Sequence, residues 1–232
     1  MRRVVLNADD LGYDPAVTRG IIESMRAGVV SSTTLMVNTP HSDEAAAQAS
    51  GLAVGLHLNL ARWRSLSRPA HEFVEAQVAA LEPGFVEAET LTQLNHLRAL
   101  LGRDATHLDV HKHLHRWPNV LTGVIAAARA RALPVRSPDQ TTRAALRSAG
   151  VTTNDLMLGD ADRDAYWTQE TFEAQLRALP EHGFIELMCH PGYAPSHLTS
   201  GYGRQREVEL ATFTSQRSRA LLETLGLQLT SW

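Results

Sequence analysis

A single cysteine, Cys189, among 232 residues rules out an internal disulfide and fits a reducing compartment. No run of basic residues occurs. With 22 Lys and Arg against 25 Asp and Glu, the formal net charge is −3, so nothing advertises nucleic-acid binding or an anionic membrane surface. The longest apolar runs are too short to cross a bilayer. Met1-Arg2-Arg3 leads straight into a strand-like segment, with no signal-peptide core and no cleavage site, and a cytoplasmic protein is expected. Also missing is the glycine-rich fingerprint that a dinucleotide-binding sheet would carry after its first strand. No linker and no internal repeat divides the chain, which reads as one domain over residues 1–232.

Hydrophobic residues make up 44% of the chain and charged residues 20%, the balance of a globular protein large enough to bury a sizeable core. Histidine is plentiful: there are 11, several of them clustered, and clustered histidines point to metal binding or acid–base work.

Strand and helix patterns alternate along the whole length. Arg3–Asn7 reads as a first strand and Asp14–Ala27 as a helix, with Asp14 at the N-cap, Pro15 at the first helical position and Gly28 after the end. Val29–Val37 is a second strand, His41–Ser50 a short helix and Leu52–Leu60 a third strand. Helical material with a break at Pro83-Gly84 runs to Leu101. Thr106–Val110, Leu133–Arg136 and Val151–Asn154 read as strands four to six, with helices at Trp117–Ala132 and Thr141–Ala149 between them. A helix at Thr168–Leu179, a strand at Phe184–Cys189, a last helix at Gln205–Leu225 and a short strand at Leu227–Leu229 complete the pattern. Such alternation implies parallel β/α units, and seven to eight strands imply an irregular, barrel-like closure of the TIM type. An open doubly wound sheet is the alternative.

Polar clusters fall at the carboxyl ends of these strands. Asp9 and Asp10 follow strand one, His57 lies late in strand three, and Asp109 and His111 close strand four. Arg136 ends strand five, and His190 ends the strand before the last helix. In a parallel β/α barrel those ends share the face on which active sites are built. Asp14 already serves as the helix cap, so neither Asp9 nor Asp10 is needed for that purpose. Successive residues of a strand point to opposite faces, so one aspartate can ligate a metal while its neighbour faces substrate as a base. The strongest signal is "THLDVHKHLH", Thr106–His115. Its period of two would place Asp109, His111, His113 and His115 on one face of an extended segment, too many ionisable groups to bury without partners. Asp109 can accept the second N–H of a ligating histidine and fix its tautomer, with His113 and His115 in the surrounding network. Asp10, His57 and His111 make a two-histidine, one-carboxylate set that leaves positions open for water and substrate. Nitrogen and oxygen donors without thiolate favour zinc, with manganese, cobalt or iron possible and magnesium less natural.

"NADDLG", "GIIESMRAGVVSSTTLMVN", "GLHLNL", "THLDVHKHLH" and "ELMCHPGY", in this order from the first strand to about Tyr193, resemble the YdjC-like carbohydrate deacetylases. Chito-oligosaccharide deacetylases and hopanoid-biosynthesis-associated members belong to that family. The resemblance implies an irregular β/α barrel with a divalent metal that removes acetyl from an N-acetylated sugar. By position, Asp10, His57 and His111 match the family's metal ligands, Asp9 its base, and His190 a late histidine suited to protonate the leaving amine. Arg136 either assists directly or holds Asp9 or Asp10 ionised through a salt bridge, and the second role is preferred. Lys112, the short stretch between His57 and His111, and the tail after Tyr193 depart from the family pattern. Two rivals stand beside this reading: another metal hydrolase acting on a phosphoester or cyclic amide, and a non-catalytic sugar- or metal-binding protein on the same scaffold. A homodimer is the default for an enzyme of this size.

Overall fold

The computed structural model describes residues 2–197 and 201–232. Six strands form one parallel sheet: β1 (Arg2–Leu11), β2 (Ser32–Leu35), β3 (Val54–Leu58), β4 (Leu108–Val110), β5 (Leu156–Leu158) and β6 (Gly183–Cys189), in the spatial order β4-β3-β2-β1-β6-β5. Eight helices connect or flank them: α1 (Pro15–Arg26), α2 (Ser42–Gln48), α3 (Pro83–Leu101), α4 (Pro118–Arg131), α5 (Gln140–Ser148), α6 (Gln169–Ala178), α7 (Arg204–Thr214) and α8 (Gln216–Thr224). No helix among the described residues is long and apolar enough to cross a membrane.

The local rules hold where the sequence states them. Asp14 caps α1, its side chain accepting from the Ala16 N–H, and Pro15 opens the helix. Gly102 ends α3 in the left-handed region, with φ of 68°. β1 lies at the centre of the sheet and pairs with β6 from Arg2↔Gly183 to Ala8↔Cys189. Val4, Val5, Leu6, Ile185 and Leu187 are buried there, as strands covered on both faces require.

The sheet has six strands where seven to eight are expected, and the missing ones are reduced to single bridges. Leu133–Arg136 contributes one parallel bridge, Leu108↔Val135. Leu108 N donates to the Pro134 carbonyl and Arg136 N to the Leu108 carbonyl, while Val135 N donates on the other side to the Thr152 carbonyl; Pro134 has no N–H to extend the ladder. Val151–Asn154 forms no strand; pairing begins two residues later, at Leu156. Leu227–Leu229 is likewise a single bridge, Val4↔Leu229. The expected last helix divides at Ser215, which is extended and caps α8 through its hydroxyl.

Because all strands run the same way, the carboxyl ends of β1, β3, β4 and β6 open on one rim. One packing contact supports that rim directly. A Cβ on Gly20 of α1 would come 2.5 Å from the Cα of Gly192, two residues after His190. Gly20→Ala is expected to destabilise the protein by about 1–3 kcal/mol through overpacking, although alanine gains roughly 1 kcal/mol of helix propensity. Denaturant midpoints of the two proteins check the sign.

Candidate active site

The adjacent aspartates reach the rim together through a break in the strand. On β1, Ala8 pairs with Thr33 and Leu11 with Leu35, so Asp9 and Asp10 stand opposite Thr34 alone. This is a β-bulge, and Asp10 takes a φ of 73°. Strict alternation would aim the two side chains at opposite faces. With the bulge both line one cavity of about 670 Å³, together with His57, His111, His113, His190 and Arg206, a volume typical of small-molecule sites.

Ligating atoms of Asp10, His57 and His111 lie within 4.8 Å of one another. Asp10 Oδ1 is 3.3 Å from His57 Nε2 and 3.2 Å from His111 Nδ1. The two imidazole nitrogens are themselves 3.1 Å apart. Asp10 Oδ1 is buried yet accepts no well-formed hydrogen bond. An orphaned carboxylate oxygen facing two imidazole nitrogens is a donor set that fits a divalent cation. On its other side, His57 Nδ1 lies 2.6 Å from Asp109 Oδ1. A carboxylate accepts, so Nδ1 carries the proton and Nε2 is the nitrogen turned to the cavity. Thr34 donates to the second oxygen of Asp109 at 3.0 Å.

Arg136 is wholly buried in a cage of carboxylates. It bonds both oxygens of Asp9, at 2.5 and 2.7 Å, as well as Asp109 at 2.7 Å and Glu186 at 2.6 Å. Of the two roles open to Arg136 in the sequence, the geometry matches the salt bridge. Asp9, His57 and Asp109 also bring ligating atoms together, but there the guanidinium already supplies the positive charge. Burial opposes ionisation of Asp9, and Arg136 outweighs it, holding the carboxyl well below the usual range. Burial likewise opposes ionisation of Asp10, and Arg206 together with His57 and His111 outweighs it, holding the carboxyl well below the usual range. Burial pushes Glu186 up to about 7 despite its contact with Arg136, and drives His190 down to about 4, so its imidazole is neutral at neutral pH.

The extended face expected for Asp109, His111, His113 and His115 ends at His111. Residues His111–Arg116 form a 3-10 turn in which Lys112 and His113 adopt φ of 55° and 53°. The turn takes His113 to the cavity wall without a partner for its Nδ1. It turns His115 away, where Nε2 donates to the Arg136 carbonyl at 2.9 Å. His115 therefore steadies the arginine and does not touch the Asp10, His57 and His111 group. Trp117 is exposed. Trp63 packs edge-on against Tyr13, a cavity residue.

The sequence reading missed the contribution of α7. Arg206 Nη2 donates to Asp10 Oδ2 at 2.5 Å. Glu209 accepts from the His190 backbone N–H at 2.5 Å and from the Tyr202 hydroxyl at 2.6 Å. In the sequence, Arg206 and Glu209 sit in an ordinary charged stretch, Arg204–Glu209, that carries no motif to mark them.

A family model described as YdjC-like protein matches residues 3–224. The chain belongs to the YdjC-like family. A carbohydrate deacetylase from Geobacillus stearothermophilus is 35% identical over 100% of this chain and 97% of its own length. A chitooligosaccharide deacetylase from Yersinia pestis is 31% identical over 99% and 97%. Among solved structures, an Enterococcus faecalis protein described provisionally as a cellobiose-phosphate cleavage protein superposes with a TM-score of 0.87 at 29% identity, covering 99% of this chain and 97% of that one. The catalytic domain of a peptidoglycan N-acetylglucosamine deacetylase from Eubacterium rectale gives 0.56 at 13% identity, over 99% of this chain and 87% of that domain, a likeness of fold alone.

Without a cation, a proton occupies the centre of the YdjC-like site. Burial lowers the pKa of His57, but Asp109, Asp10 and Asp9 outweigh burial and push it from 6.5 up to about 10. A divalent ion has to displace that proton. Its apparent affinity should therefore rise about tenfold per pH unit up to about pH 10, with release of a proton. Calorimetry in buffers of different ionisation enthalpy reads this directly. In the metal-free protein the sign for stability is opposite. The contribution of the His57 proton is complete below pH 6.5 and is lost as pH rises through about 10. The metal-free Tm should fall across that window.

Proposed function

We propose that the protein is a metal-dependent carbohydrate N-deacetylase, which hydrolyses the acetamide of an N-acetylated sugar to acetate and an amino sugar. The observation that carries this reading is the convergence of Asp10, His57 and His111 on one cavity with Asp9 and His190. It occurs in a chain similar over its full length to proteins named carbohydrate and chitooligosaccharide deacetylase. Zinc is the favoured ion, since two imidazoles and one carboxylate suit it better than magnesium; manganese and cobalt suit the same donors.

Asp10 Oδ1, His57 Nε2 and His111 Nδ1 would hold the cation, which when bound activates water and polarises the acetamide carbonyl. Asp9 is ionised at any working pH, as a base must be. Its clamp on Arg136 fixes its direction and keeps its proton affinity low, so a proton taken from the attacking water is passed on and not retained. His190 enters the cycle neutral and lines the same cavity. It can take up that proton and deliver it to the departing amine, where an imidazole is an effective acid. Asp109 holds His57 in the tautomer that turns Nε2 inward, and Arg136 stabilises Asp9 and Asp109 together.

Acetate release from a panel of N-acetylated sugars is the test. Chelation should abolish it and added zinc restore it. Asp9→Asn should bind the ion and lose about 10²- to 10⁴-fold in kcat, whereas His57→Ala should lose both ion and turnover. Normal turnover by Asp9→Asn removes Asp9 from the base role. Phosphate release from a sugar phosphate without acetate release would assign the site to a phosphoester hydrolase. Sugar binding without turnover in the metal-loaded protein would make it a binding protein.

A further inference from the structure

We propose that Arg206 is a positioning residue that restricts Asp10 to a single ligating oxygen, a proposal that rests on the cation site inferred above. The two oxygens of Asp10 have different surroundings. Oδ1 faces the two imidazole nitrogens and accepts no well-formed hydrogen bond. Oδ2 accepts from Arg206 Nη2 at 2.5 Å. A charge-assisted bond of this length is among the stronger polar contacts in a protein, and both side chains are almost wholly buried.

The guanidinium is not free to leave. Its Nε donates to the Tyr202 carbonyl at 3.0 Å. Its Cζ lies 5.8 Å from the ring centroids of both Tyr13 and Tyr202, within the range of cation–π attraction. The Arg206 carbonyl accepts from the Gly192 N–H at 3.1 Å, which ties α7 to the loop after His190. Nη1 remains buried without an acceptor. An ion pair placed only for stability would be expected to meet all its donors, since an unmet buried donor is destabilising.

The neighbouring aspartate is treated differently. Arg136 engages both oxygens of Asp9, whereas Arg206 engages one oxygen of Asp10. A free carboxylate can bind a cation through one oxygen or two, and the second oxygen takes a position that water or substrate would otherwise use. Withholding Oδ2 keeps that position available. A fixed positive charge beside the ligand also lowers the affinity for the ion while leaving the ion more acidic. Arg206 thus trades metal affinity for turnover.

The test compares the unmodified protein with R206M and R206K after metal removal. Co²⁺ is titrated by calorimetry and by visible absorption, and acetate release is measured on the loaded proteins. R206M is expected to bind Co²⁺ as tightly as the unmodified protein or up to about tenfold more tightly. Its visible absorption should weaken as the coordination number rises, and kcat should fall about 10- to 100-fold. R206K, which keeps the charge and one donor, should restore the spectrum and part of kcat. Weaker Co²⁺ binding by R206M with an unchanged spectrum would overturn the proposal and leave Arg206 a structural prop. So would an unchanged kcat in R206M. If R206M fails to fold, a crystal structure of the unmodified protein loaded with Co²⁺ decides: one Asp10 oxygen on the ion is expected, and two would overturn the proposal. A spectral change in R206M with no acetate released by the unmodified protein would uphold the positioning role and sink the deacetylase reading instead.

Discussion

The site is organised by an excess of buried negative charge. Asp9, Asp10 and Asp109 are buried toward the carboxyl ends of the strands, Glu186 midway along β6 and Glu209 on α7, against the buried guanidiniums of Arg136 and Arg206. Unpaired charges in such a setting cost several kcal/mol each, so the remaining deficit has to be met by something mobile. Several groups respond in the metal-free protein. His57 holds a proton up to about pH 10, burial pushes Glu186 and Glu209 up to about 7, and burial also raises Asp109. A divalent ion between Asp10, His57 and His111 would meet the same deficit and release the proton. The demand for a cation is therefore a property of the cluster as a whole, and any one ligand expresses only part of it.

Backbone strain gathers at the same place. Five non-glycine residues among those described have positive φ: Asp10, Trp63, Lys112, His113 and Ala132. Ala132 ends α4 as an ordinary left-handed cap. The other four surround the cavity or pack against its wall. Left-handed backbone at such residues costs about 1–3 kcal/mol each, and the packed sheet holds them there. The bulge at Asp9 and Asp10 turns two carboxylates to one cavity, and the turn after His111 ends the histidine run before His113 and His115 can join the same group. Both features redirect side chains that an ideal strand would have sent elsewhere.

Long-range closure sets the rest. Arg206 arrives from α7, almost the length of the chain away from Asp10, and Glu209 on the same helix supports His190. The loop after His190 packs against α1 at Gly20. The tail of the chain thus completes a centre whose candidate cation-holding residues, Asp10, His57 and His111, all lie in its first half.

Much of this was legible in residue order. The α1 cap at Asp14, the stop at Gly102, the alternation of strands and helices, and the placement of Asp9, Asp10, His57, His111 and His190 at strand ends follow from local preferences and period. These act over a few residues and leave a mark in the sequence. The strand count did not follow, because Pro134 has no N–H with which Leu133–Arg136 could lengthen its single bridge to β4 into a ladder, and the segment that Val135 meets on its other side forms no strand. Nor did the bulge, the 3-10 turn or the pairing of each aspartate with its own arginine. Hydrophobic period and helix signals determined where the polar groups stand along the strands. Only the folded sheet decided which oxygen each aspartate shows and which cation answers it, because buried charges are paired by distance in space, and no spacing in sequence encodes that distance.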